Sequence, residues 1–344
     1  MRTSFSSLPS PRKRGSVGGD EATASLTMLL YIFIFIISCA LLFFSGKWLV
    51  DALLRIAGYL EWREFVVAFI IIAIAASIPN LIVGITSAIY KIPQLSFGDI
   101  VGGNLIDLTI AVALSALFAG GLPAESKMVQ TSAVLTMVIA LLPLLLILDG
   151  VLGRGDGIIL ILTFFIYIFW LFSKKERFTK IYDGKKLSIF KEFRIFLKAL
   201  GKLFLGIVFL LAAAQGIVRS ASFFSQTLNM PLVLVGILIV ALGNAIPETY
   251  FAVMAARKAR TWMILGDLMG SVIVCATLVL GIVALICPIE IPDFSPFIIA
   301  RFFLVVAAMF FLFFVRTDRC ISKKEALFLL GIYVVFVIVE ILTK

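Results

Sequence analysis

Apolar stretches of about 20 residues recur from about residue 27 to the end of this 344-residue chain. Each is long enough to cross a hydrocarbon core of roughly 30 Å as a helix. Ten are expected, at about 27–45, 65–90, 97–120, 129–148, 156–173, 199–222, 230–256, 262–287, 295–315 and 324–343. Nothing alternates with the period of two that a membrane β-barrel needs. The chain is 62% hydrophobic and 15% charged, with 32 phenylalanines and a mean hydropathy of +1.15, a balance that no soluble domain of this size carries.

Composition also closes off several kinds of chemistry. Histidine is absent, which excludes imidazole proton relays, haem ligation and Ser-His catalysis. Four cysteines, Cys39, Cys275, Cys287 and Cys320, show no CxxC or other metal-ligand spacing, so neither a disulfide framework nor a zinc site is expected. The formal charge of +10 could suggest nucleic acid, but Lys and Arg gather in the cytoplasmic loops of membrane proteins, and no nucleic-acid partner is expected. The partners read from the sequence are inorganic cations and the bilayer, with no cofactor and no enzymatic role; the oligomeric state is not encoded in a legible way.

Residues 1–26 are polar and rich in Ser, Gly and Pro, and read as a disordered tail. Arg12, Lys13 and Arg14 ahead of an apolar run could open a signal peptide, but the run is too long and no small-residue cleavage site follows. Met28 is an alternative start. A first membrane region is expected over 27–173 and a second over 199–344, separated by a basic linker at 174–198. One set of loops carries Lys47, Arg55, Arg63, Lys127, the linker, Arg257, Lys258, Arg260, Arg316, Arg319, Lys323 and Lys324. The other set holds little beyond Lys91, Arg154, Arg219 and Lys344. The positive-inside bias therefore predicts a multi-pass protein of the plasma (inner) membrane, with the linker in the cytoplasm and both termini outside.

The chain repeats itself. AIAASIPNLIVGITSA followed by FGDIVGGNLIDLTIAVAL has a partner in ALGNAIPETYFAVMAA followed by LGDLMGSVIVCATLVLG. Placing Pro79 on Pro247 sets an offset of 247 − 79 = 168, which also pairs Gly98 with Gly266, Asp99 with Asp267, Gly102 with Gly270 and Thr109 with Thr277. Pro, Gly and Asp matching in one ungapped register indicate duplication, with repeats at 70–117 and 238–285. The copies lie five spans apart, and an odd separation inverts the topology. The expected fold is an all-α polytopic membrane protein, about ten transmembrane helices in two inverted five-helix repeats.

The repeats carry the chemistry. Pro79 and Pro247 are expected to break their helices in mid-membrane and free backbone carbonyls as hard ligands. Asn80 and Glu248 follow them directly. Helical spacing adds Ser77 and Asp107 from one half and Asn244, Ser271 and Cys275 from the other. A charge at mid-bilayer is expensive unless paired or ligating an ion, so Asp107 and Glu248 are expected to bind a cation or proton; each could instead be protonated and hydrogen-bonded between helices. Asp99 and Asp267 could either cap helices or bind ions. Glu248, Asp107 and Asn80 are the expected metal ligands.

At these residues the sequence resembles the sodium/calcium exchanger family of the cation/calcium antiporter superfamily. The family's two repeats read approximately G-T/S-S-x-P-E and G-N-x-x-G-S-N-x-x-N/D; this chain shows AASIPN with GDIVGGNLID, and GNAIPE with GDLMGSVIVC. The resemblance implies a secondary active antiporter. It would exchange calcium or another cation for sodium or protons, by alternating access at a central site where the residues after the prolines bind the ions. It departs from the pattern at Asn80, where a glutamate is usual, at Cys275, at Gly103 and at both GD pairs, which weakens the case for calcium. A transport-inactive ion sensor or scaffold is the alternative. An intramembrane aspartyl protease is a remote one, because Ser96 and Ile264 fill the place of the first glycine in a GxGD motif.

Overall fold

A computed structural model describes residues 17–59, 74–125, 127–173, 189–257, 261–291, 297–317 and 319–343. In the first half α1 is Val17–Tyr59, α2 is Ala75–Ile89, and α3 runs Pro93–Ile106, through a π turn Asp107–Ala111, into Val112–Ala119. Then come α4, Lys127–Leu146, and α5, Arg154–Ser173. The second half repeats the series. Here α6 is Ile189–Thr227, and α7 runs Leu232–Val235, through a π turn Gly236–Val240, into Ala241–Arg257. Next, α8 runs Thr261–Val274, through a π turn Cys275–Val279, into Leu280–Ile286; α9 is Ile298–Thr317 and α10 is Lys323–Leu342.

Among the described residues, nine helices are long and apolar enough to cross a membrane, and Ser77–Ile89 is a shorter apolar helix. The remainder of the expected second span, residues 65–73, lies outside the described residues, as do Arg63, Lys258, Arg260 and the linker core 174–188.

The offset read from the motifs holds for the elements. It carries the end of α1 onto the end of α6, the end of α2 onto the end of α7, the start of α3 onto the start of α8, and the π turn at Asp107 onto that at Cys275. Among the described residues, four two-residue strands close the loops: β1, Leu122–Pro123; β2, Val151–Leu152; β3, Ile289–Glu290; and β4, Cys320–Ile321. Antiparallel pairing joins β1 to β4 and β2 to β3. Each ribbon ties a loop of one half to a loop of the other. The two ribbons exchange under the same two-fold, as an inverted repeat demands.

Local chemistry explains several boundaries. Gly120, at φ 83°, ends α3 in the left-handed conformation that glycine adopts without a Cβ penalty. Ser322 and Glu325 form a reciprocal capping box at the start of α10, with Ser322 N donating to Glu325 Oε2 at 2.7 Å. In the two matched π turns, Thr109 and Thr277 donate their hydroxyls to the carbonyls of Leu105 and Ile273, satisfying oxygens inside the widened turns.

Three expectations need correction. Neither proline breaks its helix: α2 continues through Pro79 and α7 through Pro247. Each proline removes a single backbone bond and the remaining bonds hold. The irregular turns are instead the π segments, one of them directly upstream in α7. The expected tail overlaps α1, which begins at Val17, and the expected linker overlaps α6, which begins at Ile189.

Helices α2, α3, α7 and α8 form the centre, flanked by α4, α5, α9 and α10. α1 and α6 pack along each other on one side, against α2. α3 and α7 cross with almost no separation: a Cβ on Gly98 would stand 2.1 Å from the Val233 carbonyl oxygen, so only glycine fits.

Candidate cation site

Every candidate residue comes from the four central helices. α2 supplies Ser77 and Asn80, α3 supplies Asp99 and Asp107, α7 supplies Asn244 and Glu248, and α8 supplies Asp267, Ser271 and Cys275. Asp107 and Cys275 each open a π turn, where the helix widens and re-aims a side chain, a geometry common at functional sites.

A cavity of about 10 Å³ lies where these helices meet, lined by Asn80, Asp99, Asp107, Asn244, Glu248, Ser271 and Cys275, among others. That is room for about one water-sized particle. Ser271 donates to Glu248 Oε2 at 3.0 Å, and Asp107 faces both Glu248 and Ser271. Asn244 Nδ2 donates to Asp99 Oδ2 at 2.8 Å, and Asn80 Nδ2 donates to Cys275 Sγ at 3.3 Å. Buried Asp107 Oδ1 and Asn244 Oδ1 have no hydrogen-bond partner among the described residues. An unpaired buried acceptor is costly, and two of them beside one small cavity suit a cation.

Two candidates stand apart from that lining. Ser77 is buried behind it, against Cys275. Asp267 lines a larger cavity of about 180 Å³, shared with Leu42, Gly46, Lys47, Asp51, Asn80 and Glu248. Asp99 and Asp267 each lie well inside a helix and are buried, so neither caps one. Among the described residues no three of His, Cys, Asp and Glu gather to hold a metal by themselves, so any cation here would take amide, hydroxyl or carbonyl oxygens as well.

Sequence reasoning missed three residues. Asn104, buried in the small cavity, stands three residues before Asp107, and that helical spacing could have found it. Lys47 and Asp51 reach the larger cavity from α1, one turn apart. Only tertiary packing brings them there, although a basic and an acidic residue on one face at the end of a span were a visible hint.

An all-helical membrane protein built on an inverted repeat, with carboxyls buried where its central helices cross, is a secondary transporter of cations. Residues 30–173 and 198–342 match the sodium/calcium exchanger protein family, and the chain belongs to that family. The sodium/calcium exchanger MaX1 of Methanosarcina acetivorans is 24% identical over 352 residues, covering 92% of this chain and 98% of its own length. The inner membrane protein YrbG of Escherichia coli is 24% identical over 271 residues, covering 77% of this chain and 82% of its own. Among solved structures, the sodium-calcium exchanger NCX_Mj soaked with 10 mM Na+ and no Ca2+ superposes with a TM-score of 0.63 at 21% identity, over 90% of this chain and 98% of that one.

Proposed function

We propose that this cation antiporter exchanges calcium, or another cation, for sodium or protons at the small central cavity. Glu248, Asp107 and Asp99 supply the carboxyls, and Ser271, Asn80, Asn244 and Cys275 add polar groups to the lining. The observation that carries this reading is the meeting of a half-buried Glu248 and a buried Asp107, carboxyls from opposite halves, in a lining that holds no lysine or arginine among the described residues. Carboxylates placed so need a cation or proton to be tolerated in hydrocarbon. The part is that of a transporter and not of an enzyme.

Alternating access accounts for the two cavities. The larger one leads to Asn80 and Glu248 from the side of Lys47 and of the α7 end at Arg257. By the positive-inside bias that side is the cytoplasm, which also holds the linker, and the membrane is the plasma (inner) membrane. On the other side, α3 and α7 close together at Gly98. The two-fold supplies the opposite state: repacking the mated helices in each other's arrangement would open the site outward.

The test is calcium uptake into proteoliposomes loaded with sodium, repeated with a proton gradient. Uptake under one gradient and none with Glu248→Gln is the expected result. No flux of wild-type protein under either gradient would favour a transport-inactive relative.

A further inference from the structure

The larger cavity holds a carboxyl that the central site does not use. Asp267, on α8, lines this space of about 180 Å³ and is 6% exposed. Its carboxyl has no hydrogen-bond or ion-pair partner among the described residues, and the charge it faces is that of Glu248. Asp267 precedes Ser271 by 271 − 267 = 4 residues, and Ser271 donates to Glu248 at 3.0 Å. The central site is therefore one helical turn away, about 6 Å along α8.

Its symmetry mate is placed differently. The offset of 168 pairs Asp267 with Asp99, which lines the small cavity and takes the Asn244 amide at 2.8 Å. The mate of Asn244 is residue 244 − 168 = 76, an alanine, and the methyl of Ala76 has no hydrogen to donate. Asp99 is thus capped by the protein, and Asp267 is not. Both stand where the family pattern has the asparagine of its GN pair, so this carboxyl is particular to the chain.

Among the described residues, four charged side chains line the larger cavity: Lys47, Asp51, Glu248 and Asp267. Lys47 and Asp51 stand one turn apart on α1 and offset each other in the count. Glu248 faces Asp107 and Ser271, so its charge belongs to the central site. Asp267 leaves one negative charge over, and a buried carboxylate without a partner is costly until a cation joins it. One monovalent charge suffices; a divalent ion would overshoot. The cavity has room for such an ion with several waters around it, whereas the central one of about 10 Å³ takes about one water-sized particle. We propose that Asp267 is a second cation site, a waiting station that holds one hydrated alkali-metal cation, sodium or potassium, in the larger cavity. Asn80 and Glu248 line both cavities and form the threshold between them. When the centre releases its ion toward this side, the held cation is one turn from the vacated ligands, and refilling does not wait on diffusion from bulk water. The binding site stands on its own geometry; its part in transport rests on the antiporter reading above.

The test reads binding and transport separately. Sodium is titrated onto the purified full chain in nanodiscs and followed by the NMR linewidth of its own nucleus, which reports weak, hydrated binding. Wild type should show saturable broadening that potassium displaces. Asp107→Asn, which disarms the centre without touching the lining of the larger cavity, should keep that broadening, and adding Asp267→Asn should remove it. Lys47→Gln, which takes away the tethered positive charge, should lower the half-saturating sodium. Asp267→Asn alone should melt no lower than wild type, because no protein contact is lost. In proteoliposomes with sodium supplied on the Lys47 side, that variant should need about tenfold more sodium for half-maximal calcium uptake while its maximal rate stays within about twofold. Broadening that survives Asp267→Asn, none that potassium displaces, a lower melting temperature, a fall in maximal rate at unchanged half-saturation, or uptake that protons alone drive would each overturn the proposal. Broadening lost with Asp267→Asn but no flux by wild type under any gradient would overturn the antiporter reading and leave the binding site standing.

Discussion

The central helices α3 and α8 and the peripheral helices α1 and α6 are all apolar, yet they stand in opposite relations to the protein. In the most apolar window of each, 78% of residues are buried in α3 and in α8, against 11% in α1 and 33% in α6. In a bilayer, apolarity does not decide which helix goes inside, because lipid is as apolar as leucine. Small and polar residues decide it. α3 carries GDIVGGN and α8 carries GDLMGS, which admit close backbones and hold the carboxyls. α1 turns Leu29, Phe33 and Ile36 outward instead. The central pair is a frame gripped from several sides. The outer pair packs chiefly along each other and touches the frame along one face, so it has little contact with the frame to lose on moving.

Predictions that separate frame from periphery run from large effects to small. Glu248→Gln removes one of the central charges. At about 4 Å and an effective dielectric near 20 that is about 4 kcal/mol, or roughly a thousandfold in cation affinity. Binding and uptake should vanish while circular dichroism and melting stay close to wild type; retained uptake would place the site elsewhere. Gly98→Leu drives a side chain into the Val233 carbonyl at the α3–α7 crossing. Such overpacking should cost about 3 kcal/mol. Yield and melting temperature should fall together, and an unchanged melt would show that the crossing is looser than described.

The matching change in the periphery should behave differently. At Gly46, on α1, a Cβ would meet Pro79 Cγ at 3.4 Å beside the larger cavity. Gly46→Leu should fill that cavity and slow uptake by up to about tenfold, with little change in melting, because the cavity and not the frame gives way. A fall in stability as large as that of Gly98→Leu would erase the distinction. Smallest of all, Ser322→Ala removes the capping box of α10 and should lower stability by about 1 kcal/mol with transport intact.

Much of this molecule was legible in the sequence, and what escaped did so for physical reasons. The helices follow from the apolar runs and the two-fold from Pro, Gly and Asp in one register. The ends of α1 and α6 escaped because hydropathy marks where the bilayer ends, not where a helix does. At 1.5 Å per residue, the 43 residues of α1 extend about 65 Å, far beyond the hydrocarbon. The π turns at Asp107 and Cys275 have no side-chain signature of their own and emerge from packing. Pro79 and Pro247 misled because one missing hydrogen bond does not end a helix supported by its neighbours. Of the site, the central residues could be found from spacing, whereas Lys47 and Asp51 arrive from another helix.

The most direct test of the account sets symmetry mates against each other: counter-ion-driven calcium uptake with Asp107→Asn beside the same assay with Cys275→Ser. The account predicts that uptake is lost in the first. The second, which disturbs only the weak hydrogen bonds of the thiol with Asn80 and Ser77, should reduce it by less than about tenfold. Equal losses in the two, or a greater loss at Cys275, would contradict the claim that transport runs on the Glu248–Asp107 pair.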